Sequence, residues 1–414
     1  TILEAARLAG KATGLVATSE IMHATPADFS SHYASRKAYD ILSMQQVYQD
    51  IDVVLGAGTK YLTVEGRSDG NDLLSVIEEN YQYADTVSEM EAVTSGKLWG
   101  MFAQTALAYE FDRDPAEQPS LAEMTEKAIE LLSQDGDGFF LMVEGSKVDW
   151  AAHADDPIGM ISDCLAFDEA VGVALDFAKA DGSTVVISCT DHGNSGVSIG
   201  DAGTTGDYDK QPLSTFISPL LKATFTGEGL EKVLTADRSN AVEVMAKYYG
   251  ITDLTDAELA AIKATKDGSM NYTVGPMIAK RAHIGFTTGG HTGEDVTLYV
   301  YAPAGVDQLT GTVENTDLAR YMEKVMGVSL AAATKKLFVP ARAAFEAKGA
   351  TVSFDAEDPK NPALVARKGA TEVRVPINTN LAYVNGTAVE LDGVAVFTGS
   401  GTTYVPQSAI DLIA

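Results

Sequence analysis

Five short apolar runs, separated by stretches of helical pattern, constrain this chain more than any other feature. They are GLVAT (14–18), IDVVLGAG (51–58), GFFLMVEG (138–145), STVVISCT (183–190) and TLYVYAP (297–303). A continuous apolar run without polar alternation reads as a strand buried on both faces. Such strands alternating with helices predict a doubly wound α/β fold, with a mostly parallel central sheet and helices on both faces. In sheets of that kind the ligand site lies beyond the carboxyl ends of the strands. The helices announce themselves locally. Ser120 to Leu132 opens with a capping box, Ser120 followed three residues on by Glu123. Gly136 and Gly138 stop it, and residues 158–180 read as an amphipathic helix. The first ten residues, TILEAARLAG, read as a helix closed by Gly10. A helix feeding the first strand of an α/β unit ordinarily returns from an earlier strand. The expectation is therefore that further strands precede Thr1, cleaved off, carried on another chain or left out of the sequence.

The texture changes after about residue 330, with VSLAAATKKL as the joint. The chain of 414 residues reads as two domains, 1–330 and 335–414, against a prior of about 150 residues per domain. The second is predicted to be a small α+β module. Asn385-Gly386 between LAYV and TAVEL is a hairpin signal. LFVPARAAFEA (337–347) recurs as TYVPQSAIDLI (403–413), a duplicated strand-to-helix pattern.

Thirty basic residues face 58 acidic ones, a net charge of -28. That balance excludes a nucleic-acid binder, which needs a basic footprint, and docking on anionic lipid. It fits a solvated acidic surface in a salty or extracellular setting. No apolar run reaches the roughly 18 residues of a membrane span. Two cysteines, Cys164 and Cys189, are too few for a disulfide framework or a thiolate zinc site. Cys189, inside an apolar run, is expected to be packing.

The chemistry gathers where strands end. Of six histidines, three sit beside carboxylates there. Glu144 stands at the end of GFFLMVEG, with Asp149 and His153 past it; past STVVISCT lies Asp191-His192; shortly before TLYVYAP lies His291. Asp149 and His153 are four apart and share a helical face. Imidazole with carboxylate is the set zinc takes outside cysteine sites. Other features read as structural. Gly56-Ala57-Gly58 lacks the full phosphate-loop fingerprint. Ser30 and Ser31 beside His32 diverge on a helix, and His32 and His283 are expected to be structural. The acidic stretch 200–211 lacks the spacing of an EF-hand loop and reads as solvent-exposed.

Over residues 1 to about 330 the segments GKATGLVATSEIMHATPADFSSHYASR, DIDVVLGAG, PSLAEMTEKAIELL, GFFLMVEGSKVDWAAHA, TDH (190–192) and GFTTGGHTGEDV occur in order. In these the chain resembles the alkaline phosphatases. The tail, through Val339-Pro340-x-Arg342 and YVNG-x-x-VELD, resembles the copper amine oxidase N-terminal-like module of secreted bacterial proteins. That module contains no histidine here, and the resemblance implies no copper site.

The first resemblance implies two Zn2+ and one Mg2+. One zinc would be held by Asp149, His153 and His291, a second by Asp191 and His192, and the magnesium by Thr25 and Glu144. Arg36 would clamp two phosphate oxygens. His23 and Trp150 occupy positions that vary in the family and would tune the site. The family's bridging aspartate and attacking serine lie upstream of where this chain starts, and no Asp-x-Ser-Ala pattern occurs in it. Gly-Asn-Ser-Gly follows Asp191-His192 where many relatives have Glu-Thr-Gly-Gly.

The resemblance thus implies a secreted or cell-surface bacterial phosphomonoesterase acting on small phosphate monoesters and binding inorganic phosphate. An N-terminal fragment of the same protein and a second copy in a homodimer are its expected partners, with the tail contacting a cell surface. The rival from another class is a non-catalytic, metal-containing surface-binding protein. A third reading keeps the superfamily and changes the reaction to diester or sulfate ester hydrolysis.

Overall fold

The structure, a computed structural model, describes residues 1–399 and 401–414. These residues divide into two compact units. One comprises Thr1–Ala106, Met124–Glu144 and Gly311–Ala414, the other Leu107–Glu123 and Gly145–Thr310. The division does not follow the two sequence spans, because the tail clusters with the N-terminal sheet.

The first unit is built on a wholly parallel sheet of five strands. These are β1 (Ala12–Glu20), β2 (Val53–Ala57), β3 (Gln82–Ala84), β4 (Leu98–Met101) and β5 (Phe139–Glu144), in the order β3-β4-β2-β1-β5. The three apolar runs expected here are β1, β2 and β5. Leu15, Val16, Val53, Val54 and Leu55 are fully buried, as strands covered on both faces must be. At Gly56 the chains approach so closely that a Cβ would stand 2.8 Å from the Ala17 carbonyl oxygen. The helices Ile2–Leu8 and Tyr39–Val47 send Leu3, Ala6, Leu42 and Val47 into this core. Beyond its sheet partners β1 runs on to a turn and the helix Ala24–Ser30. That places His23 and Thr25 past the carboxyl end of β1, and Glu144 at the carboxyl end of β5.

The second unit is mainly helical. Its core gathers Ile158, Leu230, Val244, Met245, Tyr249 and Val274. The long helix Pro157–Asp181 opens on Asp156, whose carboxylate accepts from the Ile158 N–H, and closes on Gly182 at φ 74. Three antiparallel ribbons complete the unit. β6 (Val186–Cys189) and β7 (Gly193–Asn194) pair with later strands, as does β8 (Ser198–Ile199). β8 meets β9 (Ile284–Gly285), β7 meets β10 (His291–Thr292), and β6 meets β11 (Leu298–Tyr301). STVVISCT and TLYVYAP are therefore strands as expected, but antiparallel partners of each other outside the five-stranded sheet. Apolar composition encodes burial and carries no strand direction. A two-stranded ribbon also buries less than a central strand, and β6 is only half-buried. Cys189 is exposed, which corrects its expected role as packing.

The tail is an antiparallel module. β12 (Val339–Pro340) precedes a meander of β13 (Thr351–Asp355), β14 (Ala363–Lys368), β15 (Thr371–Pro376), β16 (Leu381–Val384) and β17 (Thr387–Glu390). β18 (Val396–Phe397) and β19 (Thr403–Val405) join β12 in a second small sheet. The hairpin signal sits between β16 and β17, where Asn385 and Gly386 both have positive φ, as a tight two-residue turn demands. The duplicated segments pair with each other, Val339 opposite Val405.

Candidate metal centre

The second unit brings three of the expected ligands together. Asp149 and His153 project from the short helix Lys147–His153, and His291 from β10. Their ligand atoms all lie within 4.8 Å of one another. His153 Nε2 is 3.5 Å from Asp149 Oδ2, and His291 Nε2 is 3.9 Å from Asp149 Oδ1. Asp191 and His192 follow β6 after Thr190. The His192 ring stacks on His291 with centroids 3.5 Å apart, and its Nε2 lies 3.1 Å from Asp191 Oδ2. Five of the seven expected metal ligands thus belong to one cluster of side chains.

The surroundings orient these donors. His153 Nδ1 donates to the Gly289 carbonyl at 2.9 Å, which puts the ring proton on Nδ1 and leaves the Nε2 lone pair for an ion. His192 Nδ1 makes the same kind of contact with the Gly193 carbonyl at 3.1 Å. Asn194 Nδ2 donates to Asp149 Oδ1 at 2.6 Å and to the Asp149 carbonyl at 3.2 Å. Ser195, fully buried at φ 61, ties the neighbourhood together. Its N–H donates to the Gly290 carbonyl, its hydroxyl to the Ala152 carbonyl, and its own carbonyl accepts from the Thr287 N–H. The Gly-Asn-Ser-Gly segment, visible in sequence only as a departure from relatives, is the clamp that holds Asp149 to the His291 loop.

Trp150 faces the same helix's Lys147, whose Nζ lies 4.6 Å from the indole ring, 4.4 Å from the Tyr109 ring and 3.3 Å from Glu228 Oε2. Lys147 is almost fully buried, a cation held by two π faces and one carboxylate. No local sequence pattern marks this burial, because Tyr109 and Glu228 lie far from Lys147 in the chain.

The other four expected residues lie in the first unit. His23 begins the helix Ala24–Ser30 that carries Thr25, and Glu144 ends β5. Arg36 Nη2 is 3.2 Å from His23 Nε2, so the two residues form one contact pair. His32 and His283 have carboxylate partners of their own. His32 Nε2 lies 3.0 Å from Glu4, and His283 Nδ1 lies 2.9 Å from Asp201 Oδ1. Asp201 is pulled below the ordinary carboxylate range by that bond.

Comparison with known proteins identifies the family of the chain. The family model described as alkaline phosphatase matches residues 1–328, and the copper amine oxidase N-terminal domain matches 322–412. Alkaline phosphatase 3 of Bacillus subtilis is 37% identical over 338 residues, covering 79% of this chain and 70% of that protein. The repressible alkaline phosphatase of Saccharomyces cerevisiae is 32% identical over 381 residues, covering 80% and 67%. Among solved structures, the Thermus thermophilus alkaline phosphatase matches with a TM-score of 0.70 at 27% identity, over 79% of this chain and 73% of that one. The cold-active enzyme of a Shewanella species matches at 0.67 and 28%, over 79% and 78%. A mutant of the TAB5 alkaline phosphatase, matching at 0.55 and 26%, has Mg bound in its M3 site. With its N-terminal four-fifths matched in sequence and in fold, the chain belongs to the alkaline phosphatase family.

Proposed function

We propose that the protein hydrolyses phosphate monoesters with bound metal ions, through a phosphoserine whose serine lies on sequence outside Thr1–Ala414. The observation that carries the reading is the convergence of Asp149, His153 and His291 within 4.8 Å. That donor set fits zinc: two imidazoles and a carboxylate, with His153 Nε2 freed by the bond from Nδ1 to Gly289. Asp191 and His192 are the donors for a second zinc. Thr25 and Glu144 offer the oxygen ligands that suit magnesium. When bound, such ions supply positive charge to the attacking and leaving oxygens of an in-line displacement.

The chain's own residues do the positioning that phosphoryl transfer depends on. Arg36 holds two phosphate oxygens with its planar fork, a geometry lysine does not reproduce. His23, in contact with Arg36 Nη2, limits the rotamers of that fork. Asn194 fixes the Asp149 carboxylate, and Gly289 fixes the His153 tautomer. Lys147 fixes the Trp150 ring. The same reading makes 1–330 the hydrolase domain and 335–414 a separate surface module. It also makes the protein secreted and homodimeric.

The alternative reading is a metal-containing surface-binding protein without turnover. Intact mass of the protein from its natural source, with assay of p-nitrophenyl phosphate hydrolysis, separates the two. A species carrying Asp-x-Ser-Ala together with metal-dependent turnover is expected. His153→Ala and Asp191→Ala should abolish that turnover and Arg36→Lys should weaken phosphate binding. Full turnover in either metal-ligand variant sinks the assignment.

A further inference from the structure

The C-terminal module reaches the residues proposed to grip phosphate. A cavity of about 780 Å3 within the first unit is lined by His23, Arg36, Tyr39 and Tyr61, and also by Pro359, Lys360 and Asn378 of the module. Ligand pockets for whole organic molecules span about 300–1,000 Å3. The space is far more than a phosphate group needs; a sphere of that volume is about 11 Å across.

The module's contribution is fastened in place. Gln45 Nε2 donates to Asn378 Oδ1 at 2.9 Å, with Gln45 fully buried and Asn378 only 8% exposed. Asn378 sits at φ 69, a left-handed conformation that asparagine tolerates better than most residues. Asn378 lines the cavity, and with Oδ1 engaged its Nδ2 is the side-chain group left to donate. The loop between β13 and β14 is pinned by Asn71 Nδ2 donating to Asn361 Oδ1 at 2.8 Å, and Lys360 Nζ donates to the Ser68 carbonyl. An ammonium has three donors, so Lys360 retains two.

The charges on the wall are unequal. Arg36, Lys37 and Lys360 are cations, and Asp40 and Asp69 are the lining carboxylates. Both carboxylates are engaged: Asp69 accepts from Arg67 Nε at 2.9 Å, and Asp40 accepts from the Ser68 N–H at 3.0 Å. In a chain of net charge -28, the wall of this cavity carries three cations against two carboxylates, a local excess of positive charge. Once Arg36 takes one phosphate, the lysines and the Asn378 donor remain for a second negative group.

We propose that this cavity holds the alcohol portion of a phosphate ester, and that Lys360 and Asn378 make it prefer esters bearing a second anionic group. The proposal rests on Arg36 as the phosphate ligand. It makes the module a specificity wall as well as any surface element. Calorimetric titration of the purified protein with inorganic phosphate, a hexose monophosphate and the matching hexose bisphosphate tests it. The bisphosphate is expected to bind about fivefold more tightly than the monophosphate, the upper end for a solvent-accessible charge pair. Lys360→Gln and Asn378→Asp should each erase that gap, read as the ratio of the two dissociation constants. Asn378→Asp keeps the acceptor for Gln45, so a folded variant is expected. Equal binding of the two esters by the parent protein, or a gap that survives both variants, overturns the proposal. Arg36→Ala separates the two layers of argument. If it abolishes phosphate binding while no gap is found, only the specificity wall fails; if phosphate binding persists, the phosphate-site reading fails with it.

Discussion

Asn194→Ala tests whether the hydrogen bonds around the cluster set its affinity for metal. The side chain donates to Asp149 Oδ1 at 2.6 Å and to the Asp149 carbonyl at 3.2 Å. A hydrogen bond to a charged carboxylate contributes about 1.5–3 kcal/mol. The Asp149 side chain is 35% exposed, so solvent replaces part of the lost bond and about 1.5 kcal/mol is the better value. Two effects of the change oppose each other. Without its donor the carboxylate samples other rotamers, and an arriving ion must order it. The freed oxygen is also more basic, which strengthens its bond to the ion. The first effect dominates for groups around metal ligands, where such losses run from about tenfold to a hundredfold. With the second effect subtracted, the zinc dissociation constant should rise about tenfold. The pairing of Asn194 with His291 is a backbone contact between β7 and β10, so alanine preserves it. Competition against a chromogenic chelator measures the constant, and a melting curve of the metal-free protein monitors the fold. An unchanged dissociation constant would refute the orienting role. A tenfold loss accompanied by a lower metal-free melting temperature would show that Asn194 acts on the fold instead.

Three further outcomes follow from buried groups. Burial opposes ionisation of Glu4, yet the hydrogen bond and charge of His32 bring its pKa down to about 2. Stability from Glu4 is thus full above the ordinary carboxylate range and lost as pH falls through about 2. Glu4→Gln should flatten the drop in melting temperature over that acid range, and an unchanged slope counts against the pairing. Asp163 is the reverse case: burial raises it to about 7 against bonds from the Ser162 hydroxyl and the Glu110 N–H. Its contribution is present below the ordinary range and lost as pH rises through about 7, so Asp163→Asn should lose less stability than the parent between about pH 5 and pH 8. A parallel decline in both proteins would contradict this. Gly275→Ala would set a Cβ 2.8 Å from Asp156 Cα and 2.9 Å from the Ala154 carbonyl oxygen, backbone atoms that cannot swing aside. A loss of about 1–3 kcal/mol in urea unfolding is expected, and an unshifted midpoint would show that the helix Met270–Arg281 gives way freely.

What was legible in the sequence is what a single segment dictates. The buried strands β1, β2 and β5 follow from unbroken apolar runs, the helix after Ser120 from its capping box, and the β16–β17 turn from Asn385-Gly386. The grouping of Asp149, His153 and His291 was legible as a candidate for a chemical reason: an ion demands imidazole and carboxylate, and histidines are few in this chain. What was hidden depends on partners far apart. β6 and β11 run antiparallel although each looks like a central parallel strand, since direction belongs to the pair. Asn194 meets Asp149 across 45 positions, and Asn378 meets Gln45 across 333. The acceptor that fixes His153 is the backbone carbonyl of Gly289, a group that every residue carries and that no residue type reveals. Lys147 and Asn378 were missed on the same ground: each looks like a surface residue, and only the packing of distant segments turns it into a buried charge or a fixed donor. The net charge hides the cavity in the same way. A sum of -28 describes the surface the solvent sees, while Arg36, Lys37 and Lys360 gather around one cavity because folding brings residues 36, 37 and 360 to the same wall.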